Sequence, residues 1–131
     1  MILIDTDVCI ELLRGNECVI EQRIRCDEQV AICFISVGEL FYGEHRSQYP
    51  DENLTLVEEF IMSVDIIHTD FEIMQKFGEL KSGLYNQNTL LPDADILIAS
   101  TALTKCSKLI TGNIKHFRRF ETLSLENWIR G

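Results

Sequence analysis

The apolar positions of this chain fall into a repeating two-part pattern. Ile2-Leu3-Ile4 is a short uninterrupted apolar run ending at Asp5, and Val8, Ile10, Leu12 and Leu13 follow at helical spacing up to Arg14-Gly15. Val30-Ala31-Ile32-Cys33-Phe34-Ile35 is a second run, continuous as a strand buried on both faces would be. Ser36 then opens a helix through Val37-Gly38-Glu39-Leu40-Phe41-Tyr42-Gly43. Pro50-Asp51 introduces a helical stripe of Leu54, Val57, Phe60 and Ile61, and Val64 to Ile67 reads as a third strand. Asp70 precedes a long helix through Ile73, Met74, Phe77, Leu80 and Leu84, and Pro92-Asp93 starts another carrying Ile96, Leu97, Ala99, Ser100 and Leu103. Leu109-Ile110-Thr111 is a strand end, and Leu123 to Leu125 is a candidate fifth strand.

Strands alternating with helices imply a parallel sheet covered on both faces and joined by right-handed crossovers. The expected fold is α/β, a three-layer α/β/α sandwich with a mostly parallel sheet of four to five strands. In such sheets a ligand site forms beyond the carboxyl ends of the strands, where Asp5, Glu39 and Thr111 all fall. A length of 131 residues predicts one domain spanning 1–131. With 46% apolar and 25% charged residues, disorder and collagen are excluded. No apolar run approaches the ~20 residues of a membrane helix, and Met1-Ile2-Leu3-Ile4-Asp5 lacks the basic start of a signal peptide. A soluble cytoplasmic protein away from membranes is the expectation. The five cysteines (9, 18, 26, 33 and 106) form no Cys-x-x-Cys, which suggests neither a disulfide framework nor a zinc knuckle, and most are expected to be small buried residues.

Charge divides the chain unevenly. The formal net charge is −9, yet residues 1–100 hold 6 basic and 19 acidic side chains while residues 101–131 hold 6 and 2. A body of −13 is followed by an end of +4, which argues against simple non-specific nucleic-acid binding by the whole surface.

Taken singly, each acid has an ordinary structural role. Asp5 or Thr6 suits the cap of the first helix, Ser36-Val37-Gly38-Glu39 matches a capping box, and Asp93 and Asp95 lie in a first helical turn. Three chain-distant acids at one sheet edge are harder to explain by capping alone. Two carboxylates about 4 Å apart repel by about 4 kcal/mol at an effective dielectric of 20, so such a cluster must take up protons or hold a cation. All-oxygen ligands without Cys or His pairs at zinc spacing favour Mg²⁺ or Mn²⁺, ions that activate water and neutralise charge on a phosphodiester. The implied chemistry is hydrolysis of a phosphoryl ester.

Four segments then carry a resemblance: Ile2-Leu3-Ile4-Asp5-Thr6-Asp7-Val8, Ile35-Ser36-Val37-Gly38-Glu39-Leu40-Phe41-Tyr42-Gly43, Asp93-Ala94-Asp95 through Leu103, and Leu109-Ile110-Thr111-Gly112-Asn113-Ile114-Lys115-His116-Phe117. In this order they resemble the motifs of PIN-domain nucleases, closest to the VapC toxin branch, and the resemblance extends to Glu126-Asn127-Trp128. It implies a metal-dependent endoribonuclease, with Asp5, Glu39 and Asp95 at the positions of the three acidic metal ligands. Asp93, two residues upstream, is a supporting candidate, as is Thr6 beside Asp5. The family often has Asn where Asp7 stands, so the extra charge either strengthens the cation site or faces solvent at the helix N-terminus. Some relatives place an acid where His116 stands. Asn113 and His116 are then candidates to hold a water and a phosphate, and Thr111 to bond Asp5 through its hydroxyl.

RNA needs cations along its path, for which Arg14, Lys81, Lys115, Arg118 and Arg119 are the candidates. The resemblance also implies a small antitoxin protein, expected to be basic given the acidic body, whose Arg or Lys enters the carboxylate cluster. It further implies a homodimer, for which Leu54, Phe60 and Met62 are available. Two other readings compete. Asp5-Thr6-Asp7 after the first strand suggests a haloacid-dehalogenase-like phosphatase, but no carboxylate occurs between Asp95 and Glu121, where that chemistry needs one. An inactive module that docks proteins through a cation would bind metal and leave RNA intact.

Overall fold

Backbone pairing arranges short strands into a single parallel sheet in the computed structural model, which describes residues 1–48 and 50–130 and all of their side chains except those of Pro50 and Asp51. β1 (Ile2–Ile4) leads into α1 (Thr6–Leu13) and α2 (Glu17–Arg25), and β2 (Val30–Cys33) into α3 (Phe34–His45) and α4 (Pro50–Met62). β3 (Asp65–Ile67) precedes α5 (Phe71–Asn86) and α6 (Asp93–Lys105); β4 (Leu109–Ile110), α7 (Ile114–Phe117) and β5 (Leu125–Glu126) close the order. The sheet runs β3-β2-β1-β4-β5 with every pairing parallel. β1 is central, with Leu3 in register with Ala31 on one side and Leu109 on the other, and its three residues are fully buried.

Alternation along the strands divides the core in two. Ile2, Ile4, Val30, Ile32 and Ile110 face Val8, Val19, Leu40, Val57 and Trp128. Leu3, Ala31, Cys33 and Leu109 face α5, α6 and α7 through Leu84, Ile96, Ala99 and Phe117. The layers are α/β/α with five strands, as the apolar pattern predicts.

The differences are local. The pattern carries the second strand through Ile35, whereas the ladder ends at Cys33 and α3 begins at Phe34. Ser36 therefore sits inside the first turn of α3, and Glu39 does not close a capping box with it. The fifth strand is Leu125–Glu126 rather than 123–125. α2 goes unread in the apolar pattern because only Val19 of its residues is buried. It is fixed by its start, where Asn16 Oδ1 accepts from the N–H groups of Cys18 (3.1 Å) and Val19 (3.4 Å). Gly15, at φ +80°, turns the chain between α1 and α2. Of the five free cysteines only Cys9 and Cys33 are buried, and Cys18 is exposed, fewer than expected.

Candidate active site

The strand order reverses direction at β1, whose sequence neighbour β2 lies on one side while β4 lies on the other. The crevice beyond β1 and β4 is thus the topological switch point, the place where open α/β sheets bind ligands. Asp5 leaves the end of β1 and Thr111 the end of β4. The Thr111 hydroxyl donates to Asp5 Oδ2 at 2.8 Å, so the two strand ends are joined by side chains where the crevice opens.

Asp5 also caps α1, its Oδ1 accepting from the Thr6 N–H at 2.8 Å. It is 7% exposed. Burial, with the nearby charges of Asp7 and Asp95, pushes its carboxyl from the ordinary 3.8 up to about 7 against the opposing hydrogen bonds from Thr111 and Thr6. Asp7 does not face solvent. Its Oδ2 accepts from the Gly112 N–H at 2.9 Å, its Oδ1 is buried without a hydrogen-bond partner among the described residues, and burial raises its carboxyl too.

Glu39 arrives from α3 on the opposite bank. Thr6 Oγ1 stands 2.6 Å from Glu39 Oε1 and 2.9 Å from Ser36 Oγ. A hydroxyl has one proton, and a carboxylate can only accept, so Thr6 donates to Glu39 and Ser36 supplies the other hydrogen. Capping gave Ser36 a role within its own helix; the fold instead buries it against Thr6. No signal within the segment announces this, because the contact spans 30 residues.

Asp95 lies in the first turn of α6, its Oδ2 3.0 Å from His116 Nδ1, and Asn113 Nδ2 is 2.8 Å from the same nitrogen. The two contacts compete for one ring position. The carboxylate requires a proton there, and Nε2 makes no hydrogen bond among the described residues. Thr111 Oγ1 accepts in turn from the Asn113 N–H at 2.9 Å. The loop 111–113 is therefore held by Asp5 through Thr111 and by Asp7 through Gly112. Gly112 is required at this point, since a Cβ there would meet Ile129 Cδ1 at 2.6 Å and Asp7 Oδ2 at 2.9 Å.

Asp93 does not join the cluster: it is exposed and pairs with Lys81 at 3.0 Å. Lys81, spread over the Phe77 ring, is accordingly occupied, and Arg14 pairs with Glu11 at 3.6 Å. Arg119 donates to the Thr89 carbonyl at 3.3 Å. Lys115 on α7 and Arg118 just after it are exposed and make no ion pair among the described residues.

The site concentrates carboxylates, with His116 beside Asp95 as its one basic neighbour among the described residues. No Lys or Arg pairs with Asp5, Asp7, Glu39 or Asp95 among the described residues, and one buried Asp7 oxygen is orphaned. Hard oxygen donors with uncompensated charge fit a divalent cation in kind. Among the described residues no three acidic, His or Cys side chains converge as a ready-made ion cage, and Glu39 and Asp95 are each bonded to a neighbour, Thr6 and His116.

A sequence profile of the PIN domain matches residues 2–123. The chain belongs to the PIN-domain family. This sets aside the phosphatase reading, and Thr111 stands where that chemistry would place acid. Among PIN-domain relatives, "Ribonuclease VapC2" of Haemophilus influenzae is 29% identical over 128 residues, covering 97% of each chain. The "tRNA(fMet)-specific endonuclease VapC" of Shigella flexneri is 26% identical over 127 residues and 96% of each. Among solved structures, VapBC2 from Rickettsia felis bound to a DNA fragment from its promoter superposes with a TM-score of 0.91 at 29% identity, covering 98% of this chain and 99% of that one. DNA-bound VapBC from Salmonella typhimurium gives 0.90 at 26% identity, with 97% of each covered. The resemblance of the four PIN-domain motifs to the VapC branch holds across the whole chain.

Proposed function

We propose that this PIN-domain chain, acting as one domain, is a metal-dependent endoribonuclease that hydrolyses RNA phosphodiester bonds as the toxin of a toxin–antitoxin pair. The observation that carries the reading is the join of Asp5 to Thr111 at the switch point, among carboxylates that pair with no Lys or Arg among the described residues. Asp5, Glu39 and Asp95 would hold the cation, Mg²⁺ or Mn²⁺. When bound, that ion supplies charge neutralisation for the phosphodiester and a lowered pKa for water.

The remaining work falls to the chain's own residues. Thr6 and Thr111 orient Glu39 and Asp5 by donating to them. Asp7, through the Gly112 N–H, sets the loop that carries Asn113 and His116. His116, held at Nδ1 by Asp95, would donate to an incoming phosphate through Nε2–H in its doubly protonated form. Lys115 and Arg118, exposed and without an ion pair among the described residues, supply the cationic approach for an RNA backbone that the acidic body would otherwise repel.

An antitoxin partner is supported by relatives whose structures are VapBC complexes, from Rickettsia felis and Haemophilus influenzae. A homodimer belongs to the same reading. Met62, 88% exposed on α4, is apolar surface that a second copy would cover, whereas Leu54 and Phe60 are already half-buried. None of the described helices is long and apolar enough to cross a membrane, in keeping with action on RNA in the cytoplasm.

The test is cleavage of total bacterial RNA by the purified chain, with end-mapping. Discrete new ends are expected with Mg²⁺ or Mn²⁺, none with chelator, and a loss of at least a hundredfold in Asp5→Asn or Asp95→Asn with the fold retained. Cleavage persisting in both variants overturns the assignment. Metal binding and partner association with RNA left intact would favour the docking module.

A further inference from the structure

One short segment reaches two of the acids at the switch point. Thr111, at the end of β4, donates its hydroxyl to Asp5 Oδ2 at 2.8 Å. The Asn113 N–H donates to the same Thr111 oxygen at 2.9 Å, so the hydroxyl proton is committed to Asp5. Further along the segment, His116 Nδ1 lies 3.0 Å from Asp95 Oδ2. Asp5 stands at the end of β1 and Asp95 in the first turn of α6, and among the described residues no hydrogen bond joins the two directly. Residues 111–116 connect them.

Packing fixes the backbone on both sides of the His116–Asp95 contact. Phe117, next to His116, and Ile96, next to Asp95, are fully buried in one apolar cluster. Phe117 also packs on Phe120, with ring centroids 6.4 Å apart. What remains to be decided is the side-chain torsion of Asp95, which is 21% exposed and therefore has room to turn. Facing other carboxylates, an unheld Asp95 lowers its repulsion by swinging toward solvent. An N–H donor on Oδ2 opposes that swing, and Asp95 Oδ1 makes no side-chain hydrogen bond among the described residues. The donor therefore orients the carboxylate and leaves one oxygen available. Nδ1 carries its proton both in the imidazolium and in the neutral tautomer that a carboxylate partner selects.

We propose that His116 is a positioning residue for Asp95: through Nδ1–H it fixes the carboxylate that the cation meets, and together with Thr111 it makes residues 111–116 a brace that sets Asp95 relative to Asp5. The inference rests on the metal-dependent reading and names how that site is kept ready for its ion. It is distinct from a phosphate contact through Nε2, because it acts on the cation and is complete without RNA. Carboxylates that ligate metals are themselves held by hydrogen-bonding neighbours, whose loss weakens metal binding roughly ten- to a hundredfold. Thr111 does this for Asp5 and Thr6 for Glu39, and His116 completes the set for the third acid.

Mn²⁺ binding by the full chain without RNA, measured by calorimetry, tests the role. Counted in bonds from Cβ, the amide nitrogen of Asn falls where Nδ1 stands and that of Gln where Nε2 stands. His116→Asn should hold Mn²⁺ within about threefold of wild type, whereas His116→Gln and His116→Ala should bind it at least ~tenfold more weakly. The Mn²⁺ concentration that gives half-maximal RNA cleavage should rise in the same order. Thermal unfolding in chelator should not separate the Asn and Gln variants, so that their difference in affinity is not a difference in folding. If His116→Ala folds poorly, the contrast between Asn and Gln decides. Wild-type affinity in His116→Ala overturns the proposal, as does Mn²⁺ binding in His116→Gln equal to or tighter than in His116→Asn. Cleavage kept by Gln and lost by Asn, with metal affinity unmoved, also overturns it and assigns His116 to phosphate alone. A chain that binds Mn²⁺ in the expected order yet leaves RNA intact keeps the brace and rejects the nuclease reading. A wild-type chain that binds no Mn²⁺ rejects both.

Discussion

Asp5 is buried, ties two strands together and caps a helix, and it does so at the cost of its own ionisation. In the unfolded chain its carboxyl titrates near 3.8, and in the fold near 7. The folded state holds the proton longer, so stability present below pH ~4 is lost as the pH rises through about 7, by up to roughly 4 kcal/mol. The raised carboxyl of Asp7 acts in the same direction. Thermal unfolding in chelator should therefore show Asp5→Asn gaining stability over wild type at pH 8 and little at pH 4.5. Added Mg²⁺ should narrow the gap at pH 8 by binding the ionised form. An equal difference at both pH values would contradict this. Gly112 makes a second residue-scale case, because its missing side chain leaves room for Asp7 and Ile129. Gly112→Ala should destabilise by ~1–3 kcal/mol and lower cleavage by displacing the loop with Asn113 and His116, as measured by denaturant unfolding and initial rates. The acids of the site were legible as residues in the sequence. The contacts of Asp7 and Ser36 were not, since each depends on a partner 105 or 30 residues away.

At the scale of elements, those with a strong apolar stripe or run could be read directly, and those without could not. β1, β2, α5 and α6 announce themselves because they are buried on one or both faces. α2 offers a single fully buried side chain and is held by its Asn16 cap. Asn16→Ala should cost ~1 kcal/mol in chemical unfolding while leaving cleavage unaltered, because α2 contributes no residue to the site. The early start of α3 has a physical consequence for the site. Beginning at Phe34 instead of Ser36 places Ser36 and Glu39 against Thr6, which is how α3 comes to face α1 across the crevice.

Across the whole molecule, charge is sorted by position in the chain. The acidic body holds the carboxylate centre, while the last 31 residues carry a net +4 that includes Lys115 and Arg118. Reversing both to Glu should raise KM for RNA several-fold at low salt with kcat little changed, and the difference should shrink in high salt as the contacts are screened. An unchanged KM would remove these two residues from the RNA path. Of the five cations legible in sequence, the fold commits Arg14 and Lys81 to ion pairs and Arg119 to a carbonyl. Charge counting cannot anticipate that, because pairing is decided by which helices pack together.

The sequence by itself determined the α/β class, the order of most strands and helices and the acids at their ends, because burial periodicity and strand-end chemistry are local properties. The tertiary structure decided which acids meet: it turned Asp93 to Lys81, drew Asp7 onto Gly112, and bridged Glu39 to Thr6. It also left Glu44 buried with one carboxylate oxygen that has no hydrogen-bond partner among the described residues. The contacts of Asp7 and Glu39 follow from the order β3-β2-β1-β4-β5. The parallel crossovers bring distant segments to one sheet edge, and no window of sequence contains both partners of such a contact.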